Sequence, residues 1–485
     1  MTPRRCGRRR GAGGPAAAAV AACVVLLLGG CAGFSEDGGF GAVRDTVQER
    51  SGKDVAWPRT DEEHGAVAAR VADLLSRPLG VEDAVQLALL NHRGLQAAYA
   101  ELGISEAQWV SAGRLPNPHV SMMRASRMHD GAREYKIEQA LTINLFALVT
   151  MPQALAIERR RFEQTQRTVA LEVLRVASET RKAWVQAVST QQTLAYMRQV
   201  RQAAEASAEL ARRMAQTGNF NRLQQAREQG FYADAALGLA RAERAANAAR
   251  ERLTRLLGLW GTQIAFRLQE RLPDLPAVAQ DLPDVERTAL AQRLDLAAAR
   301  IETDALARNL GLSRTTRFVN VLEFGPARVL EGERGDGYKT GYEIAFEIPL
   351  FDWGTARVAQ AEALYRRQLE RVAQAAIDAR SEVRDAYDAY RSAHDVARHF
   401  RDEIVPLRRR ISEENLLRYN GMLIGVFDLL ADARSQITAV ASSIDALRDF
   451  WLAEADLQMA LIGRPTPTPA IASAAPAPAA GGPGH

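Results

Sequence analysis

Five soft or imidazole side chains fall between positions 119 and 129: His119, Met122, Met123, Met128 and His129. Thioethers and imidazoles suit Cu(I). Methionines more commonly fill gaps in apolar packing, and no metal is assigned to them. His394 and His399 are five apart, so on a helix they do not share a face and do not suit a common zinc. The run Gly335-Asp336-Gly337-Tyr338-Lys339-Thr340 has a faint likeness to a phosphate loop, but it lacks a glycine directly before the lysine. No nucleophile elbow, HExxH pair or dinucleotide-binding glycine pattern occurs in the chain. Enzyme chemistry has no residues to carry it, and no cofactor is expected.

The cysteines point to a different chemistry. There are three, Cys6, Cys23 and Cys31. Arg4, Arg5, Arg8, Arg9 and Arg10 form a basic start, and residues 1–30 hold no acid. The apolar run from Ala16 to Leu28 would span about 20 Å as a helix, too short for a bilayer core of about 30 Å. Together these read as a secretory signal peptide. Leu28-Gly29-Gly30-Cys31 then resembles a bacterial lipobox, in which the cysteine is diacylated and becomes the new N-terminus. An ordinary signal peptide with an incidental cysteine is the plainer alternative. Ala32 follows, not the Asp that favours inner-membrane retention, so the likeness implies an outer-membrane anchor. Cleavage before Cys31 leaves one cysteine, which excludes an intramolecular disulfide and a cysteine metal cluster.

Charge agrees with this division. Lys+Arg is 62 against 58 for Asp+Glu. Subtracting the five leader arginines leaves 57 against 58, a net of −1. The basic character belongs to the leader, and a nucleic-acid surface loses its support. Apolar residues are 47% of the chain, too many for a chain disordered throughout. Beyond the leader no apolar run is long enough to be a transmembrane helix.

One pattern runs through the body twice. The first copy begins with a helix from Val81 to about Gly113, stopped by Leu115-Pro116-Asn117-Pro118. Strand-like runs follow at about His119–Arg127 and Glu134–Leu145, with Asp130-Gly131 as the turn. In the second run Tyr135, Ile137, Gln139, Leu141, Ile143 and Leu145 alternate with Lys136, Glu138, Ala140, Thr142 and Asn144, the period of a strand. Pro152–Thr217 holds no further Pro or Gly, 66 residues or about 99 Å of helix. Gly218-Asn219 breaks it, and a second helix runs from about Arg222 to Leu257. The second copy predicts a helix at Val285–Leu310, strands at Arg317–Phe324 and Tyr338–Ile348, a long helix at Thr355–Asn420 and, after Gly421, a last helix at Phe427–Leu461. Pro406 should kink or interrupt the long helix. The breaks Gly218 and Gly421 are 203 residues apart.

This order, with VEDAVQLALLNHRGLQAA, Leu115-Pro116-Asn117-Pro118 and IPLFDWGTARVAQAEA, resembles the TolC family of outer-membrane efflux proteins in its lipoprotein branch. The second copy departs from it, with Ser313-Arg314-Thr315 where a Leu-Pro-Asn-Pro would stand. The resemblance implies a mainly α fold with a membrane β-barrel: a homotrimer whose protomers each add four strands to a 12-stranded barrel, continued by an α-barrel. Cys31 would be the lipid attachment, with outer-membrane lipid as its partner. On the strand Tyr338–Ile348, Tyr342, Ile344 and Phe346 would face lipid, and Lys339, Glu343 and Glu347 the lumen. Gly218 and Gly421 would form the periplasmic tip. Family members carry two acids three apart after the second turn. Asp428 matches the first, Ala431 stands at the second position, and Asp432 lies one further on; a helix cap is the plain reading of Asp428. The implied partners are a periplasmic membrane-fusion adaptor and an inner-membrane pump of the RND or ABC type.

The expected division is a signal peptide at 1–30, an extended segment at 31–80, repeats at 81–263 and 285–463 joined by a linker at 264–284, and a disordered Ala/Pro/Gly tail at 464–485. The rival is a periplasmic coiled-coil adaptor or structural lipoprotein without a pore. The alternating strands inside each repeat favour the channel.

Overall fold

The computed structural model describes residues 33–465 except Asn320 and Arg334. The signal peptide, Cys31 and most of the tail lie outside the described residues. Mostly helical, the described chain holds one small antiparallel sheet. Its elements run α1 (Phe40–Ser51), α2 (Asp61–Leu75), α3 (Val81–Asn91), α4 (Arg93–Ala112), β1 (His119–His129), β2 (Ala132–Asn144), α5 (Leu145–Gln216) and α6 (Arg222–Leu257). Then come α7 (Val285–Gln292), α8 (Leu294–Thr315), β3 (Leu322–Gly332), β4 (Lys339–Phe346), α9 (Thr355–His399), α10 (Val405–Asn420) and α11 (Val426–Ile462). No described helix is long and apolar enough to cross a membrane.

Several boundaries differ from the sequence expectation, each for a local reason. The stretch 31–80 is not simply extended, since it contains α1 and α2. Thr60 and Glu63 form a reciprocal capping box that starts α2, and Asp61, Glu62 and Glu63 complement its N-terminal dipole. The helices expected at 81–113 and 285–310 are each two helices. The breaks are His92 (ψ 114°) and Arg293 (ψ 124°), both in extended conformation. The first long helix starts at Leu145, seven residues before Pro152. Asn144 Oδ1 accepts the Ala147 N–H at 2.8 Å and caps it, so Pro152 merely removes one donor from an interior turn. Strand β3 runs to Gly332 through Gly325 and Pro326, residues that read as a stop. Gly325 is required there because a Cβ would collide with the Leu141 carbonyl oxygen. Pro406 does interrupt the second long helix: a π-helical segment, Phe400–Ile404, separates α9 from α10, and Pro406 sits in the first turn of α10.

The chain clusters into two compact units, and each draws on both halves of the sequence. The first comprises residues 33–39, 101–165 and 299–371 and contains the sheet. Trp109 of α4 stacks on Phe162 of α5 at 5.6 Å, and Arg160 of α5 pairs with Asp304 of α8 at 2.8 Å.

The second unit comprises residues 40–100, 166–298 and 372–465. Trp184 is fully buried, and its Nε1–H donates to the Leu79 carbonyl at 2.8 Å. Gly258 ends α6 at φ +66°, where a Cβ would lie 2.6 Å from the Asn91 carbonyl oxygen. The Asn91 amide in turn donates to the carbonyls of Leu257 and Gly258, both at 2.9 Å. Val383, Tyr390 and Phe450 form a cluster with Leu275 and Ala279 of the segment between α6 and α7. Arg293, 2% exposed, sits at the α7–α8 break and pairs with Asp295 at 2.7 Å and Glu382 at 2.8 Å. Removing one member of a buried ion network strands the others. Arg293→Met is therefore expected to cost about 3 kcal/mol, read as a lower urea midpoint at unchanged slope.

Candidate functional site: a two-faced sheet and two helix turns

The sheet order is β1-β2-β3-β4, antiparallel throughout. Residues paired across an antiparallel ladder share a face. The registers put Ile344 opposite Phe324, Phe324 opposite Ile143, Tyr342 opposite Pro326 and Val120 opposite Leu141. One face thus carries Tyr342, Ile344, Phe346, Leu322, Phe324, Ile143, Leu141, Ile137, Val120 and Met122. The Phe324 and Tyr342 rings lie 6.1 Å apart on it. Toward the hairpin ends this face also holds Arg124, over the Tyr135 ring, and Arg328, whose Nε–H donates to Gln139 Oε1 at 2.6 Å.

The opposite face is charged. Lys136 pairs with Glu138 at 2.7 Å, Lys339 lies 3.6 Å from Glu331, and the Thr142 hydroxyl donates to Glu323 at 3.1 Å. Glu343 points the same way. Glu347 falls just past β4, where its N–H donates to the Val321 carbonyl at 3.4 Å. The period-two reading of β2 and β4 therefore extends to all four strands, and the register aligns their apolar sides. Large apolar side chains on that face, Val120, Met122, Tyr342, Ile344 and Phe346 among them, are exposed.

Beside the sheet, Leu350, Phe351 and Trp353 are also exposed, and Trp353 meets Phe318 edge-on at 6.2 Å. The soft side chains of β1 do not converge: Met122 and Met128 share the apolar face about 20 Å apart, while His119, Met123 and His129 lie on the other. His394 is buried, with Nε2 3.1 Å from the Pro276 carbonyl oxygen.

Two turns join the long helices. In the first, Gly218 adopts φ +78°, and Asn221 caps α6 in a reciprocal box with Gln224. In the second, the left-handed residue is Met422 (φ +57°), while Gly421 has φ −81°. The Met422 side chain is 93% exposed, and Leu423 is exposed beside it. Asp428 is exposed, and its Oδ2 accepts the Gly425 N–H at 3.2 Å, so it caps α11. Asp432 lies one turn on but is buried, and its Oδ2 has no hydrogen-bond partner among the described residues.

An ion pair that sequence reasoning missed lies near these turns. Glu228 of α6 is 2% exposed. It accepts the Ser207 hydroxyl of α5 at 2.7 Å and the Arg434 guanidinium of α11 at 2.7 Å. Arg434 also lies 4.4 Å over the Phe231 ring. Three helices are tied through one carboxylate. The signal was present: Glu228, Ala235, Ala242 and Ala249, all buried, recur every seven residues, the period of a helix-packing seam.

Neither a model of a protein family nor a curated protein sequence matches the chain. Solved structures do. The outer-membrane channel OprN aligns with a TM-score of 0.66 at 17% identity, over 86% of this chain and 95% of that one. The CmeC outer membrane channel of Campylobacter jejuni aligns at 0.66 and 16%, over 84% and 89%. CusC, solved for its folding and transmembrane channel formation, aligns at 0.65 and 18%, over 81% and 92%. The chain has the outer-membrane channel fold. Within that fold its exposed apolar face, its charged face and its helix turns are the places to look for function.

Asp428→Ala removes the α11 cap. About 1 kcal/mol of local stability is at stake, so amide exchange in the first turn of α11 should speed about fivefold with the rest of the helix unchanged.

Proposed function

We propose that the protein is the outer-membrane channel of a tripartite efflux system, a passive homotrimeric duct. Three copies would pair β4 of one with β1 of the next and close a twelve-stranded barrel. The observation that carries this reading is the sheet with one apolar face, one charged face and two unpaired edges. Water cannot satisfy a strand edge in hydrocarbon, so the edges need other strands. Two copies would give eight strands, a barrel whose interior side chains fill it. Three is the smallest number that leaves a lumen. Tyr342, Ile344 and Phe346 then meet lipid, with Phe351 and Trp353 as aromatic anchors at the interface. Lys339, Glu343 and Glu347 line or rim the water.

The long helices α5 and α9–α10 would continue the duct through the periplasm. The turns at Gly218 and at Gly421-Met422 would form the tip that meets a membrane-fusion adaptor fed by an RND-type or ABC-type pump. Cys31 would carry the lipid anchor in the outer membrane. Asp428 would sit at the aperture, with Asp432 buried behind it. Energy comes from the pump, and the duct supplies a path and a gate. Glu228–Arg434 would hold α11 against α6 in the closed tip.

Planar-bilayer conductance of the purified protein tests the reading. Discrete channel steps are expected, and a protein that inserts without conducting contradicts it. Neighbouring residues on opposite faces give a sharper contrast. Ile344→Arg is expected to cost about 2 kcal/mol or more per chain and to deplete the membrane-inserted form, whereas Ala345→Arg should insert normally and lower conductance. Arg434→Ala should raise passive leak several-fold with the oligomer intact. Unchanged leak would remove the Glu228 tie from the gate.

A further inference from the structure

Glu106 lies in the interior of α4 and is 2% exposed. A buried carboxylate is costly unless hydrogen bonds replace its water. Glu106 Oε1 obtains them from the chain's N-terminal segment: the Ser35 N–H donates at 2.7 Å, and the Ser35 hydroxyl donates as well. The same hydroxyl oxygen accepts the Gly39 N–H at 3.1 Å, and Asp37 Oδ1 accepts that N–H at 3.0 Å. Gly38 and Gly39 supply the positive φ values, +64° and +75°, that close the turn. One exposed serine thus organises the turn, and one buried glutamate holds the serine.

The direction of the segment is also set. Phe34 lies under the guanidinium of Arg114, 6.0 Å from its ring centroid. Glu106 and Arg114 are eight residues apart on the path from α4 toward β1. Read backward from Ser35 to Phe34, the chain heads toward the end of α4 from which the sheet begins.

We propose that Glu106 is a positioning residue for the membrane anchor: it clamps Ser35 to α4 so that the acylated N-terminus leaves the protein at the sheet end. The partner is the lipid surface at the base of the barrel. Cys31 lies four peptide steps before Ser35, a reach of at most about 14 Å. With the clamp closed, the acyl group is confined to that radius around a fixed point on α4. With it open, the tether lengthens by the five residues to the start of α1, about 17 Å more slack. The proposal rests on the lipid-anchor reading for the location of the acyl group, whereas the clamp itself rests on Ser35 and Glu106.

Hydrogen exchange on the full-length processed protein in phosphatidylethanolamine–phosphatidylglycerol vesicles tests both parts. Glu106→Ala is expected to speed amide exchange at residues 34–39 by on the order of 10- to 100-fold, the worth of charge-assisted bonds, with α4 still protected. Glu106→Gln, which keeps an acceptor oxygen, should restore most of the protection. A purely structural glutamate would instead loosen α4 and α5 together, and that pattern, or an unchanged segment, overturns the clamp. Should Glu106→Ala fail to fold, Ser35→Ala at an exposed position removes one donor and should give about a tenfold effect; no effect overturns the clamp. Mass spectrometry of the same samples reads the N-terminus. An unacylated chain overturns the anchor role and leaves the clamp, and an acylated chain with an unprotected segment overturns the clamp and leaves the anchor.

Discussion

Every backbone N–H and C=O that enters hydrocarbon needs a partner, because no water is present to supply one and each orphan costs several kcal/mol. Among the described residues β2 and β3 are paired on both sides, and β1 and β4 on one side only. Each edge strand therefore presents unpaired backbone groups along its outer side. The same sheet exposes Tyr342, Ile344 and Phe346 on one face and Lys339 and Glu343 on the other, an arrangement that neither water nor lipid suits on both sides. Under the proposed reading one event answers both demands. Closure with two further copies pairs the edges, turns the apolar face outward to lipid and encloses the charged face around water.

The helices face a different constraint. Under the proposed reading they must pack closely enough to be stable and still separate at the turns. The seven-residue seam of Glu228, Ala235, Ala242 and Ala249 shows how the two demands are divided. Small alanines allow close approach along most of α6. Near the turn the seam position is a charged residue whose partners, Ser207 and Arg434, lie on two other helices. Apolar packing is non-directional, whereas removing one partner of a buried ion pair leaves an uncompensated buried charge. In the proposed gate the closed state is the one in which this pair is made. The left-handed Met422, strained for a residue with a side chain, sits in a turn closed by its own backbone, the Leu423 N–H donating to the Arg418 carbonyl at 2.8 Å.

Much of this was legible in the sequence. Alternation in Tyr135–Leu145 and Tyr338–Ile348 marked strands with one apolar side, and glycine spacing marked the helix turns. The register was not legible. Pairing of β2 with β3 joins residues about 190 positions apart, as in the Arg328–Gln139 bond, and no local pattern specifies that alignment. The Glu228–Arg434 pair, 206 positions apart, is hidden for the same reason, although its place in the alanine seam could have marked Glu228 as inward. Asp432 shows the opposite failure. An acid near a turn reads as solvent-facing, yet the rotation of α11 buries it. At the N-terminus an extended reading of 31–80 passes over the Thr60–Glu63 capping signature, the local sign of α2.

The central claim is that three chains complete one sheet. Native mass spectrometry of the detergent-extracted protein reads this directly. A dominant species of three chains, each beginning at an acylated Cys31, is the expected result. A monomer that stays soluble without detergent would contradict the barrel and leave a periplasmic coiled-coil protein.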